Sequence, residues 1–141
     1  MKALTVKHPW AWAIIDGGKD VENRSRRTSY RGRILIHAGK AMDFDAFTFP
    51  AFERAANEYG TRGVGPFEKI NEIDLSTCGM VLGAIDLIDC HHADDCRDTV
   101  GFCSAWAMEH SYHWVLANPL PFETPFPAKG MLGIWNLKVP A

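Results

Sequence analysis

No apolar run in this sequence approaches the ~20 residues that a helix needs to cross a bilayer, so no membrane-spanning helix is expected. The first residues lack the apolar centre of a secretory leader, because Lys7-His8-Pro9 interrupts any such stretch. A cytoplasmic setting with reduced cysteines is the resulting expectation. There is no Gly-x-Ser-x-Gly elbow and no phosphate-binding glycine loop, and nothing local marks a Ser-His-Asp hydrolase. No repeat or low-complexity segment occurs. Only four cysteines are present among 141 residues, and none of them forms a Cys-x-x-Cys pair.

What is present is a small chain, 47% apolar and 23% charged, within the ordinary range of a globular domain. Its length fits one domain, residues 1–141, with enough chain to bury a core. The net charge of −2 hides an asymmetry. Residues 1–40 carry nine Lys and Arg against three acids, a net +6, and the remaining 101 residues carry −8. The basic end suits an anion or a nucleic acid.

Along the chain, Leu4-Thr5-Val6 reads as a short strand. Pro9 opens a two-turn helix with Trp10, Ala13 and Ile14 on one face, stopped by Gly17 and Gly18. Residues 21–25 read as a strand, Tyr30-Arg31-Gly32 as a turn, and Arg33 to His37 as a buried strand that ends at Ala38-Gly39-Lys40. Asp43 to Tyr59 reads as helical with a break at Pro50, capped by Asp43 or Asp45. Phe44, Phe47, Phe49 and Phe52 there are expected to cover one end of a sheet. Gly60, Gly63, Gly65 and Pro66 predict a loop, and residues 43–78 look like an insertion. Met80 to Asp89 is the longest β-run, with Gly83 marking a bulge or close backbone approach. A short helix is expected over Ser104 to His110, a strand over Tyr112 to Leu116, extended chain through the prolines at 119–127, and a last strand over Gly133 to Leu137. About six short strands with peripheral helices predict an α+β domain built on a small, closed or partly closed β-barrel.

Lys19 follows two glycines that would hold the backbone open at the mouth of a cleft. A lysine there can meet a phosphate, or act as a base if desolvation lowers its pKa. Alternation along a strand puts Glu22 and Arg24 on one face. Glu22 then either orients its cationic neighbours, accepts hydrogen bonds from a base edge, or closes the fold as a structural ion pair. If it reads a ligand, Lys19→Ala and Glu22→Gln should each leave the melting temperature nearly unchanged. Arg26, Arg27, Arg31 and Arg33 form a strip suited to phosphates, with Lys7 beside them in the same basic end. Trp10 and Tyr30 are candidates to stack on a base, with a core role as the alternative for Trp10.

Cys90, His91, His92, Asp94, Asp95, Cys96, Cys103, His110 and His113 gather metal-ligand types in one region. Their spacing matches no standard finger, so neither a metal nor another cofactor is expected. A Cys96–Cys103 disulfide would need oxidising conditions, and Cys78 and Cys90 read as buried thiols.

Four pieces of the chain together resemble the ASCH domain family: Val6-Lys7-His8-Pro9-Trp10-Ala11, Gly17-x-Lys19-x-x-Glu22-x-Arg24, Tyr30 to Ala38, and Tyr112-His113-Trp114 with Pro127-x-x-Gly130-x-x-Gly133-Ile134-Trp135. The resemblance spans nearly the whole chain, leaving 43–78 unmatched. It implies a PUA-like β-barrel that binds RNA or another single-stranded nucleic acid in a cleft between barrel and helix. Some small members of the family act as amidohydrolases on N4-acylated cytidines, and nuclease activity has been attributed to others. In a hydrolase of either type, Lys19 would be the base or activator, Glu22 the proton carrier or orienter, and Arg24 the stabiliser of developing negative charge. The amidohydrolases carry a threonine three residues after the lysine, where this chain has Glu22.

Overall fold

A computed structural model describes residues 1–58, 75–96 and 101–138. Six strands are described: β1 (Lys2–His8), β2 (Val21–Arg24), β3 (Gly32–Met42), β4 (Met80–His92), β5 (Tyr112–Pro127) and β6 (Ile134–Asn136). Two α-helices accompany them, α1 (Trp10–Asp16) and α2 (Pro50–Glu58). The strands form one mixed sheet in the order β2-β5-β4-β3-β1-β6, with β1 parallel to β3 and the other pairs antiparallel. The architecture is α+β. The backbone ladder ends at β2 and β6, and no pairing joins these two strands among the described residues.

The apolar runs at 34–36 and 81–85 are buried throughout, as strands covered on both faces must be. On one face Leu4, Val6, Ile34, Ile36, Ile85 and Trp114 pack together and receive Ile14 and Ile15 of α1. On the other, Leu35, Val81 and Ala84 pack under Trp135. The far side of α1 presents Ala13 to Phe47, Phe52 and the small face of α2, Ala51, Ala55 and Ala56. A two-turn helix is too short to persist alone. Burying Ile14 and Ile15 contributes about 1.5–3 kcal/mol each and holds it.

Several local expectations are met. Pro9 stands just before α1, and Gly17 follows it. Gly83 sits at a shift in the β4–β5 register, where a Cβ would run into the Leu120 carbonyl oxygen. Asp43 caps a short 3-10 helix (Phe44–Thr48) by accepting the Asp45 N–H at 3.1 Å, and α2 begins at Pro50.

Other expectations are corrected. The strand begun at Arg33 continues beyond His37 to Met42, because β1 pairs with it as far as Met42. Residues 104–110 form bends and turns, not a helix. Asn23 explains this: its Oδ1 accepts the Met108 N–H and its Nδ2 donates to the Trp106 carbonyl, both at 2.9 Å, taking backbone groups that a helix would use. Of the four phenylalanines, Phe47 and Phe52 are buried but Phe44 is exposed. Cys78 and Cys90 are half-buried. The loop expected at Gly60, Gly63, Gly65 and Pro66 lies outside the described residues, as does Tyr59.

Candidate functional site

Lys19 is placed by the end of α1. The Ala13 carbonyl accepts the Gly17 N–H at 3.0 Å and the Lys19 N–H at 2.9 Å. Gly18 takes the left-handed conformation that this return requires, with φ of 75°. A Cβ on Gly17 would stand 2.9 Å from both the Ala13 Cα and the Trp12 ring. The two glycines therefore fold the chain back tightly, and Lys19 is sent inward. It is 3% exposed, which corrects its expected place at the mouth of a cleft.

The Lys19 ammonium lies between two indoles, 5.1 Å from the Trp10 ring centre and 5.8 Å from that of Trp106. It donates to the Val21 carbonyl and stands 3.3 Å from Glu22 Oε1. Glu22 is buried on β2, and its Oε2 accepts from Arg24 Nε at 3.1 Å. The alternation read from the sequence thus holds, with Glu22 and Arg24 on one face. Arg24 also donates from Nη2 to the Thr5 carbonyl at 2.8 Å and rests 5.8 Å from the Trp114 ring. Burial pushes the Lys19 pKa below the ordinary lysine value, and the Glu22 carboxylate opposes that shift.

These side chains line a cavity of about 460 Å³ together with Lys7, Trp10, Asn23, Met108 and Leu132. The volume lies in the range of small-molecule sites. A second cavity of about 390 Å³ shares Arg24, Leu132 and Gly133 with the first and extends past Ser25 and Arg26 to Trp114. Leu132, 99% exposed, forms an apolar lip common to both.

The structure sorts the sequence candidates into three groups. Lys7, Trp10, Lys19, Glu22 and Arg24 line the main cavity, and Arg26 lines its extension. Arg27 and Arg31 line a separate hollow beside His91 and His92. Arg33 is committed to Asp86 at 3.0 Å, a bond that with one from Asn118 holds the Asp86 carboxyl below its ordinary range. Arg31 also lies 4.0 Å from Asp89. Tyr30 packs on the core and donates its hydroxyl to the Arg33 carbonyl at 2.7 Å. The strip is therefore not one surface. Trp10 lines the cavity while its indole N–H is given to Asp43 at 2.8 Å and its ring meets Phe49, Phe52 and Trp106 edge-on.

Sequence reasoning missed Asn23, Asp43, Trp106 and Met108. Asn23 sits inside the recognised motif, between Glu22 and Arg24, but its side chain holds the 104–111 segment in place. Trp106 and Met108 reach the site through such tertiary contacts, far from it in sequence.

Fold and site together define a small α+β domain in which a buried Lys19-Glu22 pair, joined by half-buried Arg24, floors a cavity between the first helix and an edge strand. The chain belongs to the ASCH domain family, whose domain matches residues 4–126. It is similar to activating signal cointegrator 1 of Mus musculus, 29% identical over 135 residues, and to that of Homo sapiens, 28% identical over 134. Each alignment covers 95% of this chain but 22% of the relative, so the chain spans about a fifth of the length of these proteins.

Proposed function

We propose that this chain binds RNA or another single-stranded nucleic acid, taking one unstacked nucleotide into the cavity over Lys19, Glu22 and Arg24. The observation that carries this reading is that two neighbouring cavities share Arg24, Leu132 and Gly133 in their walls. One chamber has a buried carboxylate able to accept from a base edge, and the next opens past the exposed Arg26, suited to a phosphate. Lys7, exposed at the rim, supplies a second backbone contact. Trp10 and Leu132 offer apolar surface to the base. Of the expected strip, Lys7 and Arg26 stand at these cavities beside Arg24, whereas Arg27 and Arg31 line the separate hollow and Arg33 is held by Asp86. Fluorescence anisotropy with short RNA and DNA oligomers at two salt concentrations tests the reading. Binding that weakens steeply with salt supports it, and absent or salt-insensitive binding removes it.

A second reading, a hydrolase of RNA or of N4-acylated cytidine, is favoured by one observation. A lysine whose pKa is lowered by burial, next to a carboxylate and in a cavity, has the properties of a general base. Lys19 would draw a proton from water as the water attacks the acyl carbon or phosphorus, Arg24 would face the developing oxyanion, and the lysine would pass that proton to the cytidine nitrogen or ribose oxygen that departs as the C–N or P–O bond breaks. Incubation with N4-acetylcytidine and, separately, with single-stranded RNA decides between the readings. Product formation that Lys19→Arg abolishes supports the hydrolase, and intact substrate in both leaves the binding module.

A further inference from the structure

We propose that His91, Cys96, Cys103 and His113 form a tetrahedral zinc site at the end of the β4–β5 pair where β4 ends and β5 begins. One ligand atom from each of the four lies within 4.8 Å of those from the other three. His91 and His113 are direct cross-strand partners, with ring centres 5.3 Å apart. Cys96 follows the turn that leaves β4, and Cys103 returns beside it, its backbone N–H 3.2 Å from the Cys96 sulfur.

The second nitrogens of the imidazoles make the case stronger than proximity does. His113 Nε2 lies 2.7 Å from the Met108 carbonyl oxygen, which only accepts. That nitrogen therefore carries a hydrogen, and in the neutral ring Nδ1 is the one left to ligate, 4.0 Å from Cys103 Sγ. His91 Nδ1 lies 2.9 Å from Asp89 Oδ2, so it too is the donor, and Nε2 faces Cys103 Sγ at 3.6 Å. Metal-binding histidines are held in this way, one nitrogen on a carboxylate or a backbone carbonyl and the other on the ion. With Zn–S of about 2.3 Å and Zn–N of about 2.0–2.1 Å, the ligand atoms of a tetrahedral site stand ~3.3–3.8 Å apart. The two sulfur–nitrogen distances from Cys103 are already within a few tenths of an ångström of that. Two thiolates with two neutral imidazoles suit zinc in a closed, structural site, and leave it without net charge.

The chain order His-Cys-Cys-His hid this set from spacing rules, because half of it is assembled by strand register. His113 Nε2 and Asn23 hold the same residue, Met108, whose side chain lines the nucleotide cavity. The ion would thus fasten the loop that supplies one wall of that cavity.

The test uses the full chain, free of any affinity tag, reduced, stripped of metal and then titrated with Zn²⁺ or Co²⁺. One equivalent is expected to bind, with the visible bands of a tetrahedral cobalt–thiolate centre and a rise in melting temperature on adding zinc. Cys96→Ser, Cys103→Ser and His91→Gln are each expected to weaken binding at least about tenfold, or 1.4 kcal/mol. His91 is half-exposed, so its replacement reports on ligation even where a cysteine variant folds poorly. Reduced protein that takes up no metal overturns the proposal, as does a cobalt spectrum unchanged by Cys103→Ser or His91→Gln. So does a native Cys96–Cys103 disulfide, found by thiol titration, whose reduction restores no metal binding. All of these outcomes are independent of nucleic-acid binding.

Discussion

Arg24 donates to the Thr5 carbonyl at 2.8 Å, and so a side chain ties β2, at one end of the sheet, to β1, next to the other. The same guanidinium holds Glu22. Arg24→Ala is expected to cost about 2 kcal/mol, the usual scale for losing a charge-assisted hydrogen bond, and to lower the melting temperature by several degrees. Arg24→Lys should recover little, because an ammonium cannot serve both oxygens with a planar fork. Thermal unfolding of both variants checks this, and a lysine variant as stable as the parent would show that the fork is not used.

Burial reverses the earlier expectation for Lys19 and Glu22. Both side chains are at most 10% exposed, so removing one partner strands a buried charge. Lys19→Met and Glu22→Gln are each expected to cost about 3 kcal/mol, and the two together less than the sum. Denaturant titrations of the single and double variants measure the coupling. Additive losses would mean that the pair does not act as a unit.

Lys19 also predicts a pH dependence of stability. The unfolded chain keeps the Lys19 proton up to the ordinary value of 10.5, and the folded chain releases it earlier. Between those points the unfolded state binds more protons, so stability contributed by this group rises with pH and levels off above 10.5. Lys19→Met should lack that component. Unfolding free energies of parent and variant, compared across the alkaline range, give the difference, and parallel curves would place the Lys19 pKa at its ordinary value.

Salt titrations separate the arginines. Removing one contact to a single-stranded phosphate changes the slope of log K against log salt by about 0.7. Lys7→Ala and Arg26→Ala are expected to flatten the slope by about that much each. Arg33→Ala, whose guanidinium is held by Asp86, should leave it unchanged. An equal effect from all three would restore the continuous strip.

The parts of the fold that were legible in the sequence have strong local causes. Three consecutive aliphatics at 34–36 mark a doubly covered strand, Gly83 marks the close approach to Leu120, and strand alternation puts Glu22 beside Arg24. What escaped depends on partners distant in the chain. Nothing near Lys19 in sequence shows that Trp106 covers it, and nothing near Arg33 shows that Asp86 faces it across the β3–β4 ladder. The spacing at 104–110 permits a helix, and only the hydrogen bonds from Asn23 divert it.

Asn23 stands between Glu22 and Arg24, and its side-chain amide bonds the loop that carries Met108. Because strand side chains alternate, β2 supplies the chemistry of the cavity with one set of residues and anchors its wall with the other. Floor and wall can therefore vary separately. Exchanging Met108 or Leu132 would reshape what enters, while Lys19, Glu22 and Arg24 keep their mutual bonds. A domain divided in this way can acquire a new ligand by point changes in its loops, without rebuilding its ion pairs.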